Sequence, residues 1–307
     1  INRSTGQVGE RISISRRAEE VKVTVKLDYE IKRYITAKSF PDGDTYDSIS
    51  VENVIRLSQQ FKMSGKEIEL AALEADIVPE RYVRNMKSYT TGDQAALLKS
   101  TVSVVGLGGL GGGVTEILAR SGVGTLKLVD GDSFEDSNLN RQFLSRQPLL
   151  TTSKADAAIQ RVKEINSSIE VYHFHEFLSE VSGSRLLEGS DVVVDCLDSV
   201  YTRQILEKLA KSHKIPMVSA AVGGSTGHIT TIFPEDPGLK LIYGDQVDPS
   251  LKGAEASLGC LPQAVTLISS LECSEVLKIL LKKGAVLRNK LAVVDLQDNI
   301  FDVLQLA

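Results

Sequence analysis

The sequence has 307 residues, of which 42% are hydrophobic and 24% charged, and its formal net charge is -5. A chain of this length can bury a full core, as one large domain or as one domain with a small appendage. The acidic balance gives no support for a protein that binds nucleic acid or an anionic membrane over its whole surface. No apolar run approaches the roughly 20 residues of a membrane-spanning helix, and the N-terminal segment lacks the apolar core of a signal peptide.

The three cysteines, Cys196, Cys260 and Cys273, are too few for a disulfide framework, and their apolar neighbours suit a reducing cytosol. The sequence contains no CxxC pair, so a single chain lacks the ligands for a structural zinc site made of cysteines. We therefore expect a cytoplasmic protein that binds no zinc.

Residues 1–78 differ in pattern from the rest, and we expect a small appendage there. After a polar segment over residues 1–20, the stretch VKVTVKLDYEIKRYI from Val21 alternates apolar and polar residues, which predicts a strand or hairpin. The turn sequence PDGDTYDS follows. ISVENVIRLSQQF then has helical spacing, and KEIELAALEADI is typical of a second helix, although a strand remains open. Together these elements resemble a winged-helix-like α+β unit.

Residues 79–307 begin with VPERYVRN and a polar helix holding Asp93–Ser100, after which strands and helices alternate. The predicted strands are Val102–Val105, Leu126–Val129, Ile169–Phe174, Asp191–Leu197 and Pro216–Ala221. The predicted helices are Leu110–Ser121, Ser153–Asn166, Tyr201–His213 and Ala264–Leu281. This alternation indicates an α/β fold with a doubly wound, mostly parallel Rossmann-like sheet. His228–Phe233 and Leu291–Leu306 are typical of antiparallel strands added at one edge.

The first strand of that alternation ends in a glycine-rich turn. Gly106, Gly108 and Gly111 give the pattern GxGxxG, in a run that also contains Gly109. Such a turn lets a phosphate approach the backbone and directs a helix N-terminus at its negative charge. Asp130 ends the next strand, 19 residues after Gly111, where its carboxylate can accept hydrogen bonds from ribose hydroxyls. A turn without a ligand does not account for so many glycines, because each costs chain entropy.

A dehydrogenase is the ordinary interpretation of GxGxxG followed by an acidic residue. Hydride transfer usually needs a proton donor or acceptor beside the nicotinamide, and histidine often takes that role. The four histidines lie in no motif; they are His173, His175, His213 and His228. We therefore rank a dehydrogenase well below other nucleotide-dependent functions.

A polar constellation follows the second strand and favours triphosphate chemistry. Asn138, Arg141, Gln142 and Lys154 are unremarkable as solvated surface, but a guanidinium fork and an ammonium beside a nucleotide can hold its phosphates. Asp198 follows a buried strand at the carboxyl end, where doubly wound sheets bind ligands. Its carboxylate suits Mg²⁺, although a helix N-cap is an alternative role.

These residues carry a resemblance to the ThiF/MoeB/HesA group, the adenylating enzymes of the ubiquitin-activating superfamily. The resemblance extends from about Pro79 to the C-terminus. The motifs that carry it are GLGGLGG at 106–112, LVDGDSFEDSNLNRQ at 128–142, Lys154 and CLDSVYTR at 196–203. It implies MgATP-dependent activation of a carboxylate. Because the carboxylate is already ionised at neutral pH, the reaction needs no general base.

The resemblance also implies roles for individual residues. Arg84, in RYVRN, would reach the γ-phosphate from the second subunit of a homodimer with composite sites. Arg141, Lys154 and Asp198 would be catalytic, with Asp198 also the Mg²⁺ ligand. The cofactor-binding set would be Gly106, Gly108, Gly109, Gly111, Asp130, Asp132, Asn138 and Gln142.

The chain departs from the family pattern in its cysteines. Many relatives carry two zinc-binding CxxC pairs or a nucleophilic cysteine on a crossover loop. Residues 234–259 form a long, polar, turn-rich loop without any cysteine. Cys260 ends that loop, and its apolar setting predicts a packed rather than a reactive thiol. Thioester transfer is therefore the less favoured branch.

Asn85 replaces the family's usual glutamine, and about 78 residues precede the motif. Both features resemble a side branch of microcin- and pantocin-type maturation enzymes, in which an N-terminal element binds a precursor peptide as an added strand. We therefore favour a precursor peptide as partner. A ubiquitin-like sulfur carrier with a Gly-Gly tail is the second candidate, and a non-catalytic nucleotide-binding scaffold is the third. The bland interpretation of the appendage is support for a dimer.

Overall fold

The computed structural model describes residues 25–245, 248 and 253–306. The chain divides into two compact units between Ala95 and Ala96, within a helix. The sequence pattern changes earlier, at residue 78, because the RYVRN segment and the start of that helix pack with the N-terminal unit. The functional division into 1–78 and 79–307 stays a prediction. Residues 1–20 and the start of the predicted strand at Val21 lie outside the described residues.

The N-terminal unit is a small α+β structure. Its elements are α1 (25–33), β1 (Thr36–Ser39), β2 (Thr45–Ile49), α2 (Val51–Phe61), α3 (Gly65–Glu74) and β3 (Val78–Pro79). The strands form one sheet in the order β1-β2-β3, in which β1 and β2 run antiparallel and β2 and β3 parallel. Ser50 caps α2, and Ser64 caps α3 in a capping box with Glu67. Both predicted helices therefore begin directly after a serine.

The prediction of a strand over VKVTVKLDYEIKRYI is wrong for residues 25–33, which are helical. The hairpin lies later in the chain, in β1 and β2. Leu27 and Ile31, four residues apart, are both fully buried in the core of the N-terminal unit. Val25 and Tyr29 are exposed. The two buried residues have the spacing of a helix. Their burial in one core outweighs the alternation of apolar and polar residues, which favoured a strand.

The second unit is built on one sheet of eight strands. They are β4 (Thr101–Val105), β5 (Thr125–Val129), β6 (Glu170–Phe174), β7 (Val192–Asp195), β8 (Met217–Gly223), β9 (Thr226–Ile232), β10 (Lys290–Asp295) and β11 (Ile300–Gln305). Their spatial order is β11-β10-β9-β8-β7-β4-β5-β6. The strands from β8 to β6 are parallel, and β9, β10 and β11 extend the sheet antiparallel. The predicted α/β class with antiparallel edge strands is confirmed.

The helices of this unit cover the sheet in two groups. The longer ones are α4 (Thr91–Lys99), which crosses the boundary between the units, α5 (Gly109–Ser121), α6 (Lys154–Ile165), α7 (Glu180–Leu187), α8 (Val200–Ser212) and α11 (Pro262–Leu281). Two single-turn helices, α9 (Lys240–Tyr243) and α10 (Glu255–Leu258), lie in the predicted loop. Helix α5 packs against α6 and α11, whereas α7 packs against α8. No helix of the described residues is long and apolar enough to span a bilayer.

Helix α7 is absent from the sequence-based prediction. Its sequence, EVSGSRLL, is rich in serine and contains Gly183, and both residue types are weak helix formers. Tertiary packing explains the glycine, since a Cβ at Gly183 would lie 2.2 Å from Leu209 of α8. Leu186 and Leu187 are fully buried in the core beside β7. The helix thus exists because of the surface that it covers.

The strand order reverses between β4 and β7, which are neighbours in the sheet. From β4 the chain continues to β5 and β6 on one side, then returns to β7 and β8 on the other. In open α/β sheets the crevice at such a reversal, outside the carboxyl ends of the strands, is where ligands bind. The fold therefore places a candidate site beyond the ends of β4 and β7.

Candidate functional site

The turn from β4 to α5 requires two of its glycines. Gly106 has a φ of +91°, and a Cβ there would lie 2.5 Å from the carbonyl oxygen of Cys196, just beyond β7. A Cβ at Gly111 would lie 1.8 Å from the carbonyl oxygen of Gly106. No side chain fits at either distance, so these glycines allow the turn and β7 to approach each other.

Two further glycines of the turn, Gly108 and Gly109, lie at the N-terminus of α5. Gly108 is the N-cap of α5, and no side chain caps the helix. A Cβ at Gly108 would meet only the side chain of Gln142, at 3.6 Å. Gly108 and Gly109 both line the cavity described below. A helix of 13 residues thus presents uncapped backbone N–H groups and the positive end of its dipole to the cavity, an arrangement suited to phosphate.

Asp130 orders the loops on both sides of the crevice. One carboxylate oxygen accepts a hydrogen bond from the Leu107 N–H at 2.6 Å, and the other accepts one from the Asp132 N–H at 2.8 Å. Asp130 therefore ties the β4–α5 turn to the end of β5. A carboxylate has about four acceptor positions, so two stay available for ribose hydroxyls.

A cavity of about 250 Å³ opens at the crevice. The structure brings most of the predicted site residues to its wall. They are Gly106, Gly108, Gly109, Asp130, Asp132, Arg141, Gln142, Lys154 and Asp198. These residues come from five separate stretches of the chain, and the reversal of strand order brings them together.

Two cations lie on one side of this cavity. Lys154, on the first turn of α6, is only 7% exposed, and its Nζ lies 3.1 Å from a carboxylate oxygen of Asp132. Arg141 donates to the carbonyl of Ser137 at 2.9 Å and to the Asn140 side chain at 2.8 Å. An ammonium has three donors, so Lys154 can keep Asp132 and still reach a phosphate.

Gln142 carries a buried polar atom without a partner. The residue is 6% exposed and lines the cavity, yet its Oε1 accepts no hydrogen bond from the described residues. A buried, unsatisfied amide oxygen is costly unless a ligand or a water pairs with it. This atom is an observation independent of sequence motifs that indicates a polar ligand in the cavity.

Asp198 lies just beyond β7, exposed and on the cavity wall. Asp198 is not the N-cap of α8. The cap is the next residue, Ser199, whose side chain accepts a hydrogen bond from the Thr202 N–H. The Asp198 carboxylate makes no side-chain hydrogen bond with the described residues. An exposed carboxylate free of such partners, beside a phosphate site, fits the needs of Mg²⁺.

Three predicted residues are not among those that line the cavity. Asn138 is buried, and its Oδ1 accepts from the Glu135 N–H at 3.0 Å, so it shapes the turn before Arg141. Gly111 packs inside the β4–α5 turn. Arg84 is an exposed residue of the N-terminal unit, after the single turn Glu80–Tyr82. Its role as a catalytic residue from a second subunit stays a prediction.

Phe177 is a cavity residue that sequence reasoning missed. Its side chain is 68% exposed, and its ring lies against Gly131, where a Cβ would be 2.7 Å from the ring. Both residues line the cavity on the side of β5 and β6. An exposed aromatic ring beside Asp130, the acid predicted to bind a ribose, is a surface on which a base can stack. Phe177 lies outside all the motifs, and no sequence signal pointed to it.

A buried polar cluster lies behind the cavity. Asp195 is fully buried, and Arg203 of α8 lies 3.2 Å from its Oδ2. Glu272 of α11 is also fully buried, and desolvation raises the pKa of its carboxyl well above the usual range. Arg203 lines the cavity, although it received no role in the sequence analysis. Its place within CLDSVYTR was the available signal.

Two cysteines lie at the cavity wall, Cys196 and Cys260. Burial raises the pKa of the Cys260 thiol above its usual value, and that of Cys196 far above it. Both thiols therefore stay protonated near neutral pH, which makes them poor nucleophiles. Cys260 was expected to be packed, and it is half-buried beside Arg141.

The glycine turn, Asp130, Lys154 and Asp198 stand at one cavity, and the sequence profile of the ThiF family matches residues 82–307. The chain belongs to the ThiF family. It is an adenylyltransferase of the ThiF/MoeB type, and its reaction is the ATP-dependent adenylation of a carboxylate. The family membership confirms the resemblance and removes the dehydrogenase and the non-catalytic scaffold as alternatives.

Curated members of the ThiF family are similar over most of this chain. The SAMP-activating enzyme E1 of Haloferax volcanii is 32% identical over 227 residues, which are 73% of this chain and 84% of that protein. The adenylyltransferase and sulfurtransferase MOCS3 of Drosophila yakuba is 26% identical over 295 residues, 95% of this chain and 63% of that protein. This chain thus spans less than two thirds of the Drosophila relative.

Solved structures share the fold of this ThiF-family chain. E. coli MccB, solved with MccA-N7isoASN, has a TM-score of 0.64 and 20% identity over 90% of this chain and 96% of that one. PaaA has a TM-score of 0.61 and 21% identity over 84% of each chain. Residues 82–307 make up less than 90% of this chain, so the fold shared with MccB includes part of the N-terminal unit.

Proposed function

We propose that this enzyme uses MgATP to adenylate a carboxylate on a ribosomally made precursor peptide during natural-product maturation. The observation that carries the proposal is the fold shared with MccB, a microcin C7 biosynthetic enzyme, which includes part of the N-terminal unit. The site residues of the second unit do not distinguish one acceptor from another, because all of them are proposed to bind ATP or its Mg²⁺.

The N-terminal unit offers a surface for an extended peptide. Strand β1 is at the edge of its sheet, and all four of its residues are exposed. An exposed edge presents backbone N–H and C=O groups to which an added strand can bond. Main-chain hydrogen bonds of this kind bind a peptide with little demand on its sequence. We therefore propose that β1 holds the part of the precursor remote from the reacting carboxylate.

The reaction follows from the charges at the cavity. The acceptor carboxylate, ionised at neutral pH, attacks the α-phosphorus of ATP, the bond from that phosphorus to the bridging oxygen breaks, and pyrophosphate leaves. Lys154, Arg141 and the N-terminus of α5 are fixed in advance where negative charge develops. Asp130 holds the ribose, which sets the α-phosphorus beside the helix N-terminus.

Asp198 is the residue that we propose to hold Mg²⁺, which when bound would neutralise phosphate charge. Asn138 supports this side by fixing the turn that carries Arg141 and Gln142. We further propose a cytoplasmic homodimer in which Arg84 of one subunit completes the site of the other. A mixture of Arg84→Ala and Lys154→Ala proteins tests this arrangement. Composite sites predict recovered activity in the mixture, and no recovery would contradict action across an interface.

A ubiquitin-like carrier with a Gly-Gly tail is the second candidate acceptor. It is favoured by sequence similarity to the Haloferax SAMP-activating enzyme, which covers 84% of that protein. The same cavity serves both acceptors, because each presents an ionised carboxylate. The candidates differ in what holds the acceptor outside the cavity.

ATP–pyrophosphate exchange separates the two acceptors. The full chain is assayed with a precursor peptide from the neighbouring genes, with a Gly-Gly carrier from the same genome, and with neither. We expect exchange that depends on the peptide. Exchange that depends on the carrier alone would sink the peptide proposal and support the second candidate. Exchange with neither, under conditions that saturate ATP, would contradict both.

A further inference from the structure

A buried ion pair lies directly behind the proposed metal ligand. Arg203 is 4% exposed and Asp195 fully buried, and their N–O distance is 3.2 Å. The Ser219 hydroxyl donates to the same carboxylate oxygen at 2.6 Å. Burying two opposite charges costs about as much free energy as their attraction returns, so such a pair is weak evidence for a role in stability alone. The backbone groups to which this pair is hydrogen-bonded therefore indicate its role.

The pair holds Leu197 at both ends of its backbone. The Leu197 N–H donates to Asp195 Oδ1 at 3.1 Å. The Leu197 carbonyl accepts from Nη2 of Arg203, whose Nη1 also donates to the carbonyl of Ala220 on β8. The guanidinium is thus fixed by three acceptors, on β7, on β8 and in the segment between β7 and α8. Its planar fork sets the direction of the Leu197 carbonyl.

The Leu197 carbonyl belongs to the peptide group that leads into Asp198. That carboxylate has no side-chain hydrogen bond within the described part of the chain, so backbone direction is what aims it. Ser199, the next residue, is fixed as the N-cap of α8. Arg203 lies in the first turns of the same helix. The segment from Leu197 to Ser199 is therefore held from both sides, and Asp198 projects from its middle.

We propose that Arg203 is a positioning residue that aims the Asp198 carboxylate at the metal, through the Leu197 carbonyl. The inference rests on the proposed Mg²⁺ role of Asp198. Asp195 and Ser219 hold Arg203 in register. Outer residues that orient metal ligands typically contribute about 10–100-fold to metal affinity.

Binding of Mn²⁺, followed by electron paramagnetic resonance, tests this role without turnover. The full chain is titrated with Mn²⁺ in the presence of a non-hydrolysable ATP analogue. Arg203→Lys keeps the charge but loses the fork, and we expect Mn²⁺ affinity to fall about 10-fold or more. Analogue affinity measured without metal should stay near the wild-type value. Arg161→Lys, in a surface pair with Glu116, is the matched control and should change neither.

The Asp198→Ala protein separates this inference from the proposed function. If Asp198→Ala binds Mn²⁺ as well as the wild type, the proposed metal role itself is wrong. If Asp198→Ala weakens Mn²⁺ binding and Arg203→Lys does not, the metal role stands and the inference about Arg203 is overturned. Equal loss of analogue affinity without metal in Arg203→Lys would also overturn it, because a collapsed cavity would then explain the result.

Ser219→Ala decides the case if Arg203→Lys does not fold. The hydroxyl is buried and contacts only the Asp195 end of the network, so the substitution leaves both charges in place. We expect a smaller fall in Mn²⁺ affinity, with a single cooperative thermal unfolding transition as the check on folding; the lost buried hydrogen bond should lower its midpoint only moderately. Wild-type Mn²⁺ affinity in a folded Ser219→Ala protein would contradict the proposed chain of support.

Discussion

The cavity has two walls, one at the ends of β4 and β5 and the other at the ends of β7 and β8, and different kinds of contact build them. At the ends of β4 and β5, backbone groups make most of the contacts. Glycines let two chain segments approach each other, and Asp130 accepts hydrogen bonds from two backbone N–H groups. At the ends of β7 and β8, buried side chains do it, above all the Asp195–Arg203 pair. The comparison teaches that one site can combine a wall shaped mainly by backbone contacts with a wall shaped by a buried ion pair. The two walls should respond differently to substitution and to pH.

Removing Lys154 should have the largest effect, because it is a buried cation at the cavity wall and we propose that it binds the phosphates of ATP. We expect Lys154→Ala to reduce ATP–pyrophosphate exchange by about 10²–10³-fold, the usual cost of one charge-stabilising donor. Lys163→Ala, on the exposed face of the same helix, is the control and should stay near the wild type. A Lys154→Ala protein with unchanged ATP consumption would contradict the mechanism.

Acid should weaken the wall of buried side chains first. His228 of β9 is held neutral by burial and by the nearby Arg203 charge, which lower its pKa to about 4, and it bonds to Tyr243. Above pH 6.5, the pKa of this imidazole in the unfolded chain, His228 is neutral in both the folded and the unfolded protein and costs no folding stability. As pH falls from 6.5 towards 4, only the unfolded state gains the proton, so folding loses up to about 3 kcal/mol.

Urea unfolding at a series of pH values measures this loss. His228→Gln, which cannot take up a proton, should show a shallower decline over the same pH window. Equal slopes for His228→Gln and the wild type would show that other groups carry the acid sensitivity of this wall.

A side chain in the glycine turn should damage the backbone-built wall at any pH. A Cβ at Gly111 would lie 1.8 Å from the Gly106 carbonyl, so Gly111→Ala forces the turn to shift. We expect a loss of about 1–3 kcal/mol in unfolding free energy, as for other overpacked sites, with weakened ATP binding. Gly92→Ala is the control, since its nearest contact would be an ordinary 3.7 Å. A stable Gly111→Ala protein with normal ATP affinity would show that the turn tolerates a wider path.

The smallest expected effect is at Phe177, whose exposed ring lines the cavity on the side of β5 and β6. Loss of a stacked ring typically costs about 1–3 kcal/mol per base, so Phe177→Ala should weaken ATP binding by roughly 10-fold. Phe177→Trp should retain affinity. Phe301→Ala removes an equally exposed ring from β11, away from the cavity, and should leave ATP binding unchanged. Wild-type affinity in Phe177→Ala would remove the base-stacking role.

The sequence alone determined the α/β fold of the second unit and most of the residues that line its cavity next to the glycine turn. Strand and helix periods, the glycine spacing and Asp130 are local signals, since each depends on residues near one another in the chain. The motif residues Arg141, Gln142, Lys154 and Asp198 were also named in advance, and the structure places them at one cavity wall.

Only the tertiary structure decided which face of the first helix is buried, why α7 forms, and what lies behind Asp198. Leu27 and Ile31 form a helix because they pack in one core, and Gly183 is helical because it packs on Leu209. Arg203 acquires its partners from β7, from β8 and from the segment between β7 and α8, and no local sequence pattern connects these. Burial sets the ionisation of such groups, and burial is a property of the folded chain rather than of any segment.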